Sequence, residues 1–330
     1  MSTAYTRREF GSVVVGGLAI SAAAAASAPR INSVVAGVRL GVQTYSFRDL
    51  LLEPGDHLDA VIRAMKQLGL GECELLAVHA EPKEFWTLAG WSGAVGRGGD
   101  PFASGTAGIP RPTQTNVASR REALREWRRT VPLRHFEDVR KRLDDAGISV
   151  YAYNLTFGDA FTDGEIDRGF EMTKALGVGI ITTSNGLNMT RRLLPFVNRH
   201  RIIVAVHGHS AVNDPDAFST PATFAKALAM SEYFRVNLDI GHFTAANQDP
   251  VAYIDAAHDS ITNLHVKDRR RNDGPNVPWG QGDTPMAQVL QLLKAKRYPI
   301  PAYIEYEYDG PRESIAEVRS CLDYAKHTLV

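Results

Sequence analysis

From residue 39 onward, short runs of β-branched and aliphatic residues alternate with longer stretches in which apolar residues return at helical spacing. Alternation of this kind predicts parallel strands joined by crossover helices. The strand-like runs are Arg39 to Tyr45, Glu72 to Val78, Ile148 to Asn154, Gly179 to Ser184, Ile202 to His209, Arg235 to Ile240, Ile261 to Lys267 and Pro301 to Glu307. Eight such strands close an α/β (β/α)8 TIM barrel. Punctuation between them agrees. Thr162 with Glu165 reads as a capping box, while Thr220-Pro221, Asp249-Pro250 and Thr284-Pro285 each place a capping residue before a proline at the first helical position. Gly69, Gly147 and Gly177 stand where helices should end.

One connection is out of proportion. About 70 residues separate the second and third strands, and much of this stretch, WSGAVGRGGDPFASGTAGIPRPTQTN, is rich in Gly, Pro, Ser and Thr. This insertion, at residues 80–133, follows a strand's C-terminal end and is therefore expected over the active-site face of a barrel. Phe85, Trp86 and Trp91 are its candidate lid aromatics, with packing of the insertion on itself as the equal alternative.

The N-terminus has a different character. Residues 1–28 carry Thr6, Arg7, Arg8, Glu9 and Phe10, then a Gly/Ala-rich apolar run ending in Ala26, Ser27 and Ala28. That is the pattern of a cleaved twin-arginine export signal, and the run is a poor membrane span. Export to the periplasm or beyond is expected, with residues 29–330 as one barrel domain and no stable membrane anchor after cleavage. Proteins exported by this route travel folded, often with a cofactor inserted.

Charge narrows the partners. Lys plus Arg and Asp plus Glu both number 37, interspersed, so nothing favours nucleic acid. Arg269, Arg270 and Arg271 form one short basic run that reads as a solvated loop. Cys73 and Cys321 do not form a disulfide framework. Self-association of the chain stays open.

Chemistry gathers at the ends of the last four strands. Strand five finishes in His207, Gly208 and His209, strand six in Asp239, Ile240, Gly241 and His242; strand seven carries His265, Lys267 and Asp268, and strand eight Glu305 and Glu307. Residues two apart on a strand share a face, so His207 pairs with His209, His265 with Lys267, and Glu305 with Glu307. Asp239, His265 and Glu305 together with a strand-five residue offer mixed oxygen and nitrogen ligands suited to Mn²⁺, Zn²⁺, Co²⁺ or Mg²⁺. A glutamate inside the apolar run IPAYIEYEY needs a partner or a cation. Glu307 could stand in for Glu305.

The motifs GVQTYSFRD, GECEL, LDIGH, NLHVKD, WGQGDTP and YIEYE, in this order, resemble the sugar phosphate isomerase/epimerase superfamily, whose barrel is xylose isomerase-like. The resemblance implies a divalent metal held by a strand-five Glu, then Asp239, His265 and Glu305. It also implies a sugar substrate from which a proton next to a carbonyl is abstracted through a metal-stabilised enediolate. Here strand five offers His207, Gly208 and His209 in place of the family's Glu-Asn-His, which removes one of two carboxylate bases. His207 becomes the fourth ligand, and His209, His242 and Lys267 join Glu305 as catalytic candidates. Gln43, Tyr45, Asn154, Trp279, Gln281 and Glu307 are candidate contacts to a sugar or glycoside. Isomerisation or epimerisation is the leading expectation. Elimination from a 3-keto glycoside is the alternative, and a non-catalytic sugar-binding protein ranks third.

Overall fold

The structure, a computed structural model, describes residues 29–87 and 114–330. The expected export signal and Trp91 lie outside these residues, and no side chain is described for Trp86. Eight parallel strands form the barrel: β1 (Val38–Gln43), β2 (Glu72–Leu76), β3 (Ser149–Asn154), β4 (Ile180–Thr183), β5 (Ile203–His207), β6 (Phe234–Asp239), β7 (Ile261–Val266) and β8 (Ala302–Ile304). Each pairs with the next, and β8 closes onto β1.

Seven of the eight strands stop one to three residues short of their expected ends while β3 ends at Asn154 as expected, and at the ends of β1 and β6 a side chain turns the chain. Gln43 accepts the N–H of Tyr45 and opens a 3₁₀ helix over Thr44–Leu52. Asp239 accepts the N–H of His242 and caps a short helix, Ile240–Ala245. Tyr45, His209, Lys267 and Glu307 therefore sit just past the strands, at the barrel mouth.

Helices α1 (His57–Leu68), α2 (Gln114–Thr130), α3 (Arg134–Asp145), α4 (Asp163–Ala175), α5 (Leu187–His200), α6 (Pro221–Leu228), α7 (Pro250–Ala257), α8 (Met286–Lys296) and α9 (Ser314–Leu329) complete the architecture. Apolar side chains of the strands' outer faces pack against the helices in one continuous core. The glycines at 69, 147 and 177 adopt positive φ at the helix ends, as their spacing implies.

The insertion adds structure of its own, and two capping expectations need correction. The insertion contains a helix, α2. Its Arg128 reaches back to the rim, with Nε 2.7 Å and Nη2 3.0 Å from the Glu81 carboxylate and Nη1 3.3 Å from Glu165. Phe85 packs at 6.2 Å from Trp127 of that helix and also against the cluster of Tyr45, Leu51, Leu76, Val78 and Leu124 beside the barrel mouth. Glu165 completes only half of the capping box: its N–H reaches Thr162, but its carboxylate turns to Arg125 and Arg128. Thr284 does not cap α8, since its hydroxyl accepts the N–H of Arg269.

The barrel interior is polar and layered. At the bottom, Glu72 pairs with Arg39 and accepts from the Tyr303 hydroxyl at 2.8 Å. Above it lies the Glu74 carboxylate, fully buried. Register shifts occur beside it, between Cys73 and Glu74 on β2 and between Val236 and Asn237 on β6. Such irregularities re-aim side chains.

Candidate metal centre

At the mouth, one ligand atom from each of His207, Asp239, His265 and Glu305 falls within 4.8 Å of the others, all four residues being buried. Strand register produces this. Asp239 pairs directly with His265, His207 stands opposite Asn237 two residues earlier on β6, and the Glu305 N–H bonds to the Val266 carbonyl one step beyond. Glu305, rather than Glu307, enters the group.

Asp239 Oδ2, His265 Nδ1 and Glu305 Oε2 are buried with no hydrogen-bond partner. Lys267 Nζ stands 2.9 Å from both carboxylate oxygens as an ion pair, and it pairs also with Glu307. Buried oxygens and an imidazole nitrogen converging without directional partners fit a divalent cation, and two nitrogens with two oxygens are a borderline-metal donor set.

The protonation pattern follows from burial and neighbours. Burial opposes the charge on Lys267, but Asp239, Glu305 and Glu307 outweigh it and hold the ammonium above its ordinary range. Burial pushes Asp239 up to about 7 against the pull of Lys267. Glu305 falls well below the usual carboxylate range, because Lys267 and His265 overcome its burial. Burial, then Lys267, pushes His209 down to about 4.

The outer histidines differ in freedom. His209 lies 4.9 Å from the ring of His207 and 4.7 Å from that of His242. Gly208 between the two strand-five histidines is enforced by close approach: a Cβ there would meet the Phe218 carbonyl at 2.7 Å and the Phe224 ring at 2.8 Å. His242 Nδ1 accepts from Arg269. Because a guanidinium only donates, the neutral ring carries its proton on Nε2. His207, His209 and His242 also form a compact trio, but that protonated Nε2 has no lone pair for a cation.

Arg269 is the basic-run residue that departs from expectation. It is buried, bonded to Ser210 at 2.9 Å as well as to His242, and lies on an antiparallel ribbon of Asp268–Arg269 with Asn276–Val277. Arg270 and Arg271 are exposed, as a solvated loop requires.

The remaining candidates disperse. Tyr45 is buried beside Arg48, whose guanidinium lies 4.9 Å from its ring, and burial with the Glu307 charge pushes its phenol upward. Gln43 is engaged with the Tyr45 backbone. Asn154 points inward, its amide nitrogen 2.8 Å from Glu74 and 3.0 Å from Thr182. Trp279 packs edge-on at 5.7 Å against Tyr324 of α9, and Gln281 is exposed. Asp268 binds the N–H groups of Gly280, Gly282 and Thr284 and takes no part in holding Lys267.

Sequence reasoning missed Glu74. Its signal was present in GECEL: Glu72 and Glu74 share one face of a barrel strand, and that face points inward.

Residues 118–324 match the family described as Xylose isomerase-like TIM barrel. The chain belongs to this family. Among curated relatives it is 29% identical over 110 residues to L-ribulose-5-phosphate 3-epimerase UlaE of Escherichia coli K12, a stretch covering 32% of this chain and 39% of that protein. The chain thus spans about two-fifths of the length of the curated relatives it matches. Solved structures of similar fold include 3-keto-D-glucoside 4-epimerase, YcjR, of E. coli in its apo form. It is 12% identical with a TM-score of 0.56, over 88% of this chain and 99% of that one. The IolI protein with a bound zinc atom is another, 14% identical with a TM-score of 0.53, over 88% and 96%. At these identities the likeness establishes the fold alone.

Proposed function

We propose that this chain is a divalent-metal-dependent sugar isomerase or epimerase that removes a proton from the carbon next to a carbonyl. The observation that carries the reading is the buried group of His207, Asp239, His265 and Glu305, three of whose facing atoms have no hydrogen-bond partner. A Mn²⁺, Zn²⁺, Co²⁺ or Mg²⁺ ion held there would polarise the substrate carbonyl. Glu305 stays ionised and is the carboxylate available to accept a carbon-bound proton. His209, neutral and free of side-chain hydrogen bonds among the described residues, can donate or accept at the opposite side. Lys267 cannot act as an imine-forming nucleophile, since three carboxylates keep it protonated; its charge instead favours a developing oxyanion. His242 offers Nε2–H to a substrate oxygen. Curated relatives named as a sugar-phosphate epimerase and a fold neighbour named as a 3-keto-glucoside epimerase support this substrate class.

A second reading has its own observation. His207 replaces a carboxylate, and its Nδ1 is already bonded to Asn237 at 2.6 Å, which leaves one nitrogen that can ligate or exchange protons but not both. A site with one fewer base suits abstraction followed by loss of a leaving group, as in cleavage of a 3-keto glycoside. Export of the chain, proposed from residues 1–28, would favour free sugars or glycosides over sugar phosphates.

Incubating metal-loaded protein in deuterium oxide with ketoses and 3-keto glycosides tests both. Deuterium in a rearranged sugar supports isomerisation, and released aglycone supports elimination. A protein that takes up no stoichiometric divalent metal on reconstitution overturns the reading.

A further inference from the structure

We infer that Glu74, on the wall of the barrel facing the candidate ligands, is the positioning residue that fixes which nitrogen of each histidine ligand faces the cation. The inference rests on the metal-site reading above and concerns a residue that lies behind the ligands and touches His265 and Asn237.

The carboxylate is surrounded by donors from four strands. Oε1 accepts from Asn154 Nδ2 at 2.8 Å and Thr182 Oγ1 at 2.7 Å; Oε2 accepts from Asn263 Nδ2 at 2.7 Å, His265 Nε2 at 2.9 Å and Asn237 Nδ2 at 3.4 Å. An ionised carboxylate only accepts. Whatever faces it must therefore present a hydrogen, and two chains of consequence follow.

The first is direct. His265 must carry a proton on Nε2, so its Nδ1, the nitrogen with no hydrogen-bond partner, is the one that faces Asp239 and Glu305. The second runs through an amide. Asn237 must aim its NH₂ at Glu74, which turns its Oδ1 to His207, 2.6 Å away. That oxygen can only accept, so His207 carries its proton on Nδ1 and leaves the Nε2 lone pair for the site. One carboxylate thus sets opposite tautomers on two ligands from different strands. Asn263 is locked into the same sense, because the Thr262 hydroxyl donates to its Oδ1 at 2.8 Å.

Metal-ligating histidines are commonly held in this way by a carboxylate or an amide behind them, and loss of such a partner weakens metal binding about 10- to 100-fold. Glu74→Gln keeps the shape but presents one donor and one acceptor, so at least one neighbouring N–H must face another hydrogen. In the full chain, zinc affinity by calorimetry is expected to fall by that factor. On zinc-loaded wild-type protein, long-range ¹⁵N–¹H correlation of the imidazoles should show His265 ligated through Nδ1 and His207 through Nε2, each with its other nitrogen protonated. In Glu74→Gln these signatures should split or shift, which a merely structural defect with intact ligation would not produce. Wild-type protein that binds no zinc overturns the metal-site reading itself. Zinc bound equally well by Glu74→Gln, with unchanged imidazole signals, overturns the role of Glu74 alone. If Glu74→Gln does not fold, the wild-type spectrum decides: ligation of His265 through Nε2 or of His207 through Nδ1 refutes the inference. Asn237→Ala, which cuts only the relay to His207, should weaken zinc less than Glu74→Gln and leave the His265 signals in place.

Discussion

Two adjacent layers of the same barrel handle buried charge in opposite ways. Around Glu74 every carboxylate oxygen is met by donors, and the neighbouring amides and hydroxyl are oriented in turn. One step higher, Asp239, Glu305 and His265 face each other with atoms that no donor satisfies in a directed way, and the Lys267 ammonium, with His265 Nδ1 at 3.3 Å from Glu305, offsets the charge. Both layers are buried, so the difference is one of completion. A finished network holds geometry, whereas an unfinished one is shaped for something that is not protein.

Removing the lower carboxylate should have the larger effect on folding. Glu74→Ala leaves several buried donors without an acceptor and is expected to lower stability by about 3–5 kcal/mol in urea unfolding. An unchanged midpoint would show that the lower layer is not a framework. Gly208→Ala tests the contact that sets the spacing of His207 and His209. Crowding against Phe218 and Phe224 should lower stability by about 2 kcal/mol and displace His209, seen as a changed ring signal by NMR.

His79 lies between the two extremes: Nδ1 is 3.0 Å from Thr44 Oγ1, while Nε2 is buried without a partner. Burial pushes it down from 6.5 to about 3. The unfolded chain therefore takes up a proton below its pKa while the folded chain does not, and stability falls as pH drops from about 6.5 toward about 3. Between pH 6.5 and pH 5 the loss is about 2 kcal/mol, and His79→Gln should remove that share of the slope. Parallel pH profiles for the two proteins would exclude it.

The upper layer should respond least in stability and most in function. Asp239→Asn keeps the oxygen that accepts the His242 N–H, so metal-free stability should change by less than about 1 kcal/mol. Its metal content after reconstitution, by elemental analysis, should fall to background. Full metal occupancy in this variant would place the cation elsewhere.

The strands, their number and the four mouth residues were legible because barrel strands are short apolar runs and their polar exceptions stand out against that background. Glu74, Asn237 and Asn263 were not, since an isolated polar residue inside a strand gives no sign of which partner across the barrel satisfies it. Lys267 was ambiguous for a related reason. Its sequence neighbour Asp268 turns elsewhere, and only the barrel's curvature brings Asp239, Glu305 and Glu307 to it. Asn154 shows the limit in the other direction: a strand-end amide that reads as a sugar contact turns inward once Glu74 is beneath it. Arg269 left its basic run because the ribbon that buries it is made by pairing too short to leave a period.

Glu74 and His265 are separated by 191 positions, and β8 meets β1 only where the sheet closes on itself. Contacts at such separation form late, after the local βα units. The four mouth residues can approach one another as β5 to β8 assemble, but the nitrogen each histidine presents is decided only when the first third of the chain arrives. On the proposed reading, tight capture of a cation would be a clock for the final act of folding, and stopped-flow mixing with a zinc-competing dye should time it after the bulk of the helical signal has already appeared.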